Sequence, residues 1–276
     1  MRKSEMTHLC IYHKSCPDGF GAALAVKVFL DREHPGENQE WLAAHHDDDA
    51  PDVTGKHVYI VDFAYKRDTL ILLHQQADSL VVIDHHVTAQ ADLEGLDFCY
   101  FDMSKSGAML SWLYFNKHQM VPRLYDYIQD RDLWAWQLSL SREFSAGLEL
   151  YPMTFEDWTP LLSNNMVSSV IDQGKTVLAY QQIEIDRALK KGFDMVTICG
   201  YSVPCINTST LISDIGDKLC QGHPFAALYF ETKSKRVYSL RSAKGGIDVS
   251  KIAEQFGGGG HFHAAGFAVD KPGVEL

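Results

Sequence analysis

Three absences in the sequence narrow its function before any motif is considered. No apolar run approaches the roughly 18 residues of a membrane-spanning helix, so we expect no membrane partner. The six cysteines are scattered without a CxxC pair, which disfavours a disulfide framework and predicts reduced thiols in a cytoplasmic protein. Positive charge is also scarce, since the formal net charge is −11. Proteins that hold long nucleic acid normally need a basic face, so we expect no long duplex partner.

The composition that is present is that of a globular protein. The chain has 276 residues, of which 46% are hydrophobic and 22% charged, enough for one large domain or two modest ones with a core. The acidic balance leaves small anionic substrates open, because a few local cations or metal ions can hold one or two phosphates.

Apolar strands alternate with helical patterns in the first half of the chain. The strands are predicted at 8–13, 57–63, 79–84 and 96–102, and the helices at 18–33, 66–77, 106–118 and 121–130. This alternation predicts an α/β fold, a mostly parallel sheet with helices on both faces.

The second half predicts a smaller α/β domain. A long helix at 166–191 is followed by a strand pair at 193–209, a helix at 210–221, a hairpin at 225–242, a helix at 249–256 and a closing strand at 261–270. We therefore predict a first domain over 1–165, a connector helix over 166–191 and a second domain over 192–276.

Polar side chains terminate three of the predicted strands. The first ends at His13, the second carries Asp62 near its end, and the third stops at Asp84-His85-His86. A single Asp-His-His triplet is most often a polar loop. However, parallel sheets bind ligands at the carboxyl ends of their strands, and such groups are costly to bury without partners. Three strand ends with metal-capable groups therefore predict a metal site.

Four separated stretches resemble the motifs of the DHH phosphoesterases. These are IYHKSCPDGFGAA, IVDF, VVIDHH and YIQDRDLW, in the order that the family has them. The segment FGGGGHFHAAGF, preceded by YSLRS, is similar to the signature of the DHHA1 domain. The resemblance implies a DHH catalytic domain and a DHHA1 substrate-binding domain, with the active site in the cleft between them.

The resemblance also implies which residues bind metal. It implies two Mn²⁺ ions, with Mg²⁺, Co²⁺, Fe²⁺ or Zn²⁺ as other candidates for a mixed carboxylate and imidazole site. The implied metal ligands are His13, Asp18, Asp62 as the bridge, His85 and Asp130. Asp84 would orient a ligand or the water, and His86 would face the scissile phosphate.

Two positions in these motifs leave alternatives open. Cys16 stands where the family usually has an aspartate, and its spacing from His13 is one residue shorter. It is a thiolate ligand, the mark of a lost ligand, or a packing residue. In the fourth motif Asp130 is favoured as the ligand, whereas Asp132 would pair with Arg131 or cap the following segment.

The glycine run of the second half has two interpretations. Four glycines form a flexible turn, or a loop whose backbone amides approach a phosphate. The resemblance implies that substrate is bound by Arg241, Ser242, Gly259, Gly260 and His261.

One conspicuous stretch matches no family motif, and two tryptophans lie at and just after the end of the fourth motif. We expect His45-His46-Asp47-Asp48-Asp49 to be a solvated loop, and Trp134 and Trp136 to pack.

These features predict a metal-dependent phosphodiesterase that hydrolyses linear dinucleotides and very short RNA, such as pGpG from cyclic-di-GMP breakdown, to nucleoside monophosphates. The alternatives are a cyclic-dinucleotide phosphodiesterase, a phosphoadenosine phosphate phosphatase and a non-catalytic nucleotide-binding module in which Cys16 marks a broken site. The DHHA1-like end disfavours a pyrophosphatase. Related proteins are often dimers, so the resemblance allows a homodimer, although no apolar interface is evident from the sequence.

Overall fold

The chain folds into two compact units. The computed structural model describes residues 6–45 and 48–271, and its units are Met1–Leu178 and Ala179–Leu276. The division falls inside the long helix Met166–Lys190. The role of this helix as a connector stays a prediction.

The first unit is built on a five-stranded sheet in which every pairing is parallel, in the order β2-β1-β3-β4-β5. This confirms the predicted α/β class. The strands are β1 (Thr7–His13), β2 (Asn38–Ala44), β3 (Lys56–Val61), β4 (Ser79–Asp84) and β5 (Cys99–Phe101). Strand β2, which the sequence analysis did not identify, pairs with β1 at the edge of the sheet.

Helices cover both faces of this sheet, as the alternating pattern predicts. They are α1 (Pro17–Glu33), α2 (Arg67–Gln76), α3 (Val87–Asp92), α4 (Gly107–Phe115), α5 (Arg123–Asp132), α6 (Ser141–Leu148), α7 (Phe155–Trp158) and α8 (Met166–Lys190). Alternate residues of β1 point to opposite faces. Ile11 packs in the core with Leu70 of α2, and Cys10 packs in the core with Val26 of α1.

The second unit carries a mixed six-stranded sheet in the order β10-β11-β9-β8-β7-β6. Only β7 and β8 pair in parallel among its described strands. Its elements are β6 (Asp194–Ile198), β7 (Tyr201–Asn207), α9 (Ile212–Leu219), β8 (Ala226–Glu231), β9 (Lys235–Arg241), α10 (Val249–Glu254), β10 (Gly259–His261) and β11 (Ala264–Asp270). The predicted closing strand at 261–270 is instead a hairpin of β10 and β11, because the chain turns at residues 262–263.

Over residues 6–45 and 48–271, no helix is both long enough and apolar enough to cross a membrane.

Candidate metal centre

The three predicted strand ends meet at one edge of the first sheet. Strands β1, β3 and β4 are neighbours and run in the same direction, so their carboxyl ends lie side by side. Three overlapping clusters of metal-capable atoms form there: His13 with Cys16 and Asp62; Asp62 with Asp84, His85 and His86; and Asp18 with His85 and Asp132. The ligand atoms of each cluster lie within 4.8 Å of one another.

Asp62 lies at the centre of this edge, and its two oxygens face different partners. Oδ2 lies 3.6 Å from Nδ1 of His13, whereas Oδ1 lies 3.1 Å from Nε2 of His85. Asp62 directly follows β3 and has a φ of 54°, a left-handed conformation that is costly for a residue with a Cβ. This arrangement is what a carboxylate needs in order to bridge two ions.

Gly107, the first residue of α4, allows the helix to approach Asp62. A Cβ at this position would lie 2.4 Å from Oδ1 of Asp62 and 2.5 Å from its Cβ, well inside contact distance. Ser106 caps the same helix, since its side chain accepts a hydrogen bond from the N–H of Met109. The sequence analysis did not identify Gly107, although a glycine after a serine cap is a local signal for a close approach.

Asp18 joins α1 to α4 and also faces the cluster. Its two oxygens accept hydrogen bonds from the backbone N–H groups of Gly107, at 2.7 Å, and Ala108, at 3.0 Å. The same carboxylate lies 3.5 Å from Nε2 of His85. Each carboxylate oxygen can accept more than one partner, so these bonds position Asp18 and leave it able to bind a cation.

The fourth motif places Asp132, rather than Asp130, beside His85. Oδ2 of Asp132 lies 3.7 Å from Nε2 of His85, and its side chain is 26% exposed. The oxygens of Asp130 instead accept hydrogen bonds from the backbone N–H groups of Gln137 and Leu138, at 2.8 and 3.2 Å. Among the described residues, no cluster of metal-capable atoms includes Asp130. The geometry therefore favours Asp132 for the ligand position that the sequence analysis assigned to Asp130.

Asp84 positions the two histidines that follow it. This carboxylate is fully buried, and its Oδ1 lies 2.7 Å from both the backbone nitrogen of His85 and Nδ1 of His86. Burial opposes the charged form of His86, but the contact with Asp84 prevails and raises the pKa of the imidazole. Asp84 thus orients His86, whereas its expected role of orienting a metal ligand or the water stays a prediction.

Cys16 lies where a ligand could act, next to His13 and Asp62. Burial raises the pKa of its thiol, and the carboxylates of Asp62 and Asp18 raise it further. A thiol among carboxylates stays protonated unless a cation compensates its charge. The placement leaves Cys16 available as a ligand when a metal ion is bound.

The electrostatics of the cluster fit a bound cation. Burial, followed by the charge of Asp18, raises the pKa of Asp62. Burial lowers the pKa of His85, but its close contact with Asp62 and the charges of Asp18 and Asp132 outweigh burial and raise the value to about 10.

Two buried carboxylate oxygens point to the same conclusion. Asp62 Oδ1 and Asp84 Oδ2 accept no aligned hydrogen bond from any described residue. Buried carboxylates need positive charge and partners, and metal ions supply both.

In the second unit the implied substrate-binding residues lie on adjacent strands. Arg241 pairs with Ala264, and Ala264 pairs with His261, so the three residues are level across β9, β11 and β10. Nη2 of Arg241 donates to Oγ of Ser213 at 3.1 Å.

The other three implied substrate-binding residues, Ser242, Gly259 and Gly260, differ in exposure. Ser242 is buried, and its Oγ donates to the carbonyl of Ile247. Gly259 and Gly260 are not a loop but form β10 with His261. The structure thus brings Arg241 and His261 to the same level of one sheet, with the glycines on its exposed edge strand.

Two tryptophans stack with arginines directly after Asp132. The guanidinium of Arg131 lies 4.4 Å from the ring of Trp134, and that of Arg142 lies 4.1 Å from the ring of Trp136. Both tryptophans have a φ of 52°, a conformation that is strained for a bulky residue. The cluster follows Asp132 directly in the chain, at the end of α5.

In the expected solvated loop at residues 45–49, His45 and Asp49 are exposed, whereas His46 and Asp47 lie outside the described residues.

The chain matches a known domain family over its C-terminal part and a longer relative over nearly all of its length. The sequence profile of the DHHA1 domain matches residues 208–275. Uncharacterized protein R106 of Acanthamoeba polyphaga mimivirus is 30% identical over 285 aligned positions, which cover 96% of this chain and 68% of that protein.

Two solved structures share the fold over most of the chain. The pGpG-specific phosphodiesterase PggH from Vibrio cholerae has a TM-score of 0.54 at 12% identity, over 95% of this chain and 93% of that one. RecJ from Thermus thermophilus in complex with Mn²⁺ has a TM-score of 0.56 at 15% identity, over 95% of this chain and 49% of that one. At these identities the likeness establishes the fold alone.

Proposed function

We propose, from the DHHA1 match over residues 208–275 and the Asp84-His85-His86 motif at the end of β4, that the chain is a phosphoesterase of the DHH/DHHA1 superfamily. Its proposed reaction is the hydrolysis of linear dinucleotides and very short RNA, such as pGpG, to nucleoside monophosphates. The observation that carries the proposal is the central position of Asp62, with one oxygen facing His13 and the other facing His85. A phosphodiesterase of this superfamily needs such a carboxylate between two metal positions.

The residues of the centre divide between the two positions. His13, Cys16 and Asp62 would hold one ion, and Asp62, His85, Asp18 and Asp132 the other. Mn²⁺ is proposed because a mixed imidazole and carboxylate set suits it and because the similar RecJ structure contains Mn²⁺. When bound, a pair of ions activates water and stabilises charge on the phosphoryl oxygens.

Residues of the protein itself would supply a correctly positioned proton for the reaction. Asp84 holds His86 by a contact of 2.7 Å, and its charge favours the protonated imidazole. A protonated His86 at this edge can donate a proton to the leaving oxygen of the phosphodiester. The adjacent tryptophan–arginine cluster offers aromatic faces and positive charge, the combination on which nucleobases and phosphates bind.

The net charge of −11 favours a short substrate. A long nucleic acid would need many basic contacts along its backbone, whereas a dinucleotide presents few phosphates that local groups can bind. The pGpG specificity named for the similar Vibrio protein agrees with this substrate class. We also propose that Arg241, Ser242, Gly259, Gly260 and His261 bind the nucleotide.

The test is Mn²⁺-dependent release of GMP from pGpG by the wild-type chain and by Asp62→Asn. A seven-nucleotide RNA, cyclic-di-GMP and phosphoadenosine phosphate serve as competing substrates. We expect turnover of pGpG that chelation abolishes, that returns with Mn²⁺ and that Asp62→Asn lacks. If only one of the competing substrates were hydrolysed, that compound would replace pGpG as the proposed substrate. Binding of pGpG without any turnover would support the non-catalytic module.

A further inference from the structure

The structure contains a second cluster of metal-capable residues, far from the candidate metal centre. It consists of His8, His34 and Glu37, whose ligand atoms lie within 4.8 Å of one another. His8 is near the start of β1 and His13 is at its end, so about 16 Å of extended strand separates the two sites. We propose that this cluster is a binding site for a divalent transition metal ion, with Zn²⁺ as the preferred ion.

One carboxylate oxygen joins the two imidazoles. Oε2 of Glu37 lies 2.6 Å from Nε2 of His8 and 3.2 Å from Nδ1 of His34. Ligand atoms around a tetrahedral Zn²⁺ ion are about 3.3 Å apart, given metal–ligand bonds of about 2.0–2.1 Å. The pair of Glu37 and His34 already has this spacing, and the Glu37 side chain, which is 30% exposed, needs to move by about 0.7 Å from His8.

The turn that carries two of the ligands is pre-formed. Glu37 donates a backbone hydrogen bond to the carbonyl of His34, which closes a four-residue turn. Pro35 occupies its second position and Gly36, with a φ of 83°, its third, which is the residue pattern of a type II turn. His34 and Glu37 therefore face each other without any further loss of backbone freedom.

The third ligand, His8, is fixed by a contact at the ring nitrogen that does not face the proposed ion. His8 is 1% exposed, and its Nδ1 lies 3.0 Å from the hydroxyl of Tyr59. Histidine ligands commonly use their second ring nitrogen in such a hydrogen bond, which fixes the ring and directs the other nitrogen at the metal. The ion would take the place of the proton that His8 and Glu37 otherwise share.

Two histidines and one carboxylate are a donor set that binds Zn²⁺ in proteins. The side chains of His34 and Glu37 are 29% and 30% exposed, so an ion can reach the site and water can complete its coordination. The neighbouring His57 is not an additional ligand, because its nitrogens lie 2.7 Å from Oγ of Ser79 and 3.2 Å from Sδ of Met6. A bound ion would tie the turn after α1 to the start of β1.

The experiment counts bound zinc in four forms of the full chain. Wild type, His34→Gln, Glu37→Gln and His118→Gln are stripped with a chelator, equilibrated with Zn²⁺ and analysed for zinc per chain by mass spectrometry. His118 is an exposed histidine outside the clusters of the described residues, so it is the matched control. We expect one zinc ion fewer in His34→Gln and Glu37→Gln than in wild type and His118→Gln.

A second measurement isolates the site from the candidate metal centre. In an Asp62→Asn background, Zn²⁺ should raise the melting temperature, and adding His34→Gln should remove that increase and weaken binding at least about tenfold. Circular dichroism of each variant without metal confirms that it folds. Equal zinc content in all four chains, or an equal rise in melting temperature with and without His34, overturns the proposal. Loss of pGpG turnover plays no part in this readout, so the two proposals fail separately.

Discussion

At the scale of the residue, the two aspartates of the fourth motif have different tasks. Residues two apart on a helix point about 200° away from each other, so Asp130 and Asp132 cannot face the same partner. Asp132 lies in the cluster with His85, while Asp130 accepts two backbone N–H groups of the segment that follows α5. Asp132 lies among metal-capable atoms, and Asp130 holds the segment after the helix.

Replacing each of these carboxylates in turn by an amide tests the two roles separately. We expect Asp132→Asn to lower Mn²⁺-dependent turnover by at least about 100-fold with little change in melting temperature, because the position next to His85 loses its charge. The matched Asp130→Asn should lower the melting temperature and affect turnover less, since it weakens the bonds to Gln137 and Leu138.

Steady-state kinetics and thermal unfolding of both variants check this prediction. If Asp130→Asn caused the larger loss of turnover and the larger loss of Mn²⁺ affinity, Asp130 would be the metal ligand, as the sequence analysis favoured.

Cys16 gives a second prediction at this scale. The thiol lies beside His13 and Asp62, in the place where the resemblance leads one to expect an aspartate. If Cys16 binds metal, Cys16→Asp should retain turnover and favour Mn²⁺ over softer ions, whereas Cys16→Ala should weaken binding of one ion by about 10–100-fold. Titration with Mn²⁺ and Zn²⁺ measures both effects. Unchanged metal affinity in Cys16→Ala would show that Cys16 only packs.

The sequence carried more information about some site residues than about others. His13, Asp62 and His85 could be identified because each follows an apolar strand, and parallel strands bring their carboxyl ends together. The choice between Asp130 and Asp132 depends on how α5 is rotated about its axis, and on which backbone amides surround its end. Neither is encoded in a local pattern, so the residue favoured by the motif was not the one placed beside His85.

At the scale of the element, the start of α4 determines the position of two carboxylates. Its first two N–H groups bind Asp18, and its first residue, Gly107, lies against Asp62. The helix can approach Asp62 this closely only because Gly107 has no side chain. The amino end of a helix also favours nearby negative charge, which suits both aspartates.

Gly107→Ala tests this arrangement. The added methyl group would lie 2.4 Å from Oδ1 of Asp62, so the helix or the carboxylate must shift. We expect turnover to fall by about 100-fold, since a displacement of about 1 Å at a catalytic group has this effect.

Ser106→Ala is the control, because it removes the cap of the same helix at a cost of about 1 kcal/mol while leaving the contact with Asp62 unchanged. Turnover and chemical denaturation distinguish the two variants. Equal turnover in Gly107→Ala and wild type would contradict the positioning role of Gly107.

Elements also show where sequence patterns stop being informative. The helices and strands with clear apolar periodicity were predicted close to their observed bounds, such as β4 at Ser79–Asp84 and α2 at Arg67–Gln76. Strand β2, with the sequence NQEWLAA, was missed because its apolar run is only four residues long and follows three polar residues, as at a partly exposed sheet edge. The hairpin at β10 was missed because glycine-rich sequence predicts turns, and only pairing with β11 makes it a strand.

At the scale of the whole molecule, the net charge of −11 predicts that the protein binds short nucleic acids and does not follow the backbone of long ones. Each phosphate contact to a single strand contributes about −0.7 to the slope of log affinity against log salt concentration. A protein that engages only the few phosphates of a dinucleotide should show the same shallow slope for pGpG and for a longer RNA. A protein that follows the backbone of a long strand should show a slope that grows with length.

We expect the Asp62→Asn chain to bind substrate without turning it over, and to bind a twenty-nucleotide RNA no more tightly than pGpG and with the same salt dependence. Fluorescence anisotropy over a range of salt concentrations gives both quantities. A steeper slope and tighter binding for the longer RNA would mean that a basic path exists despite the acidic total, as in a processive exonuclease. Because the slope counts phosphate contacts and not chemistry, this result would redefine the substrate while leaving the metal centre as described.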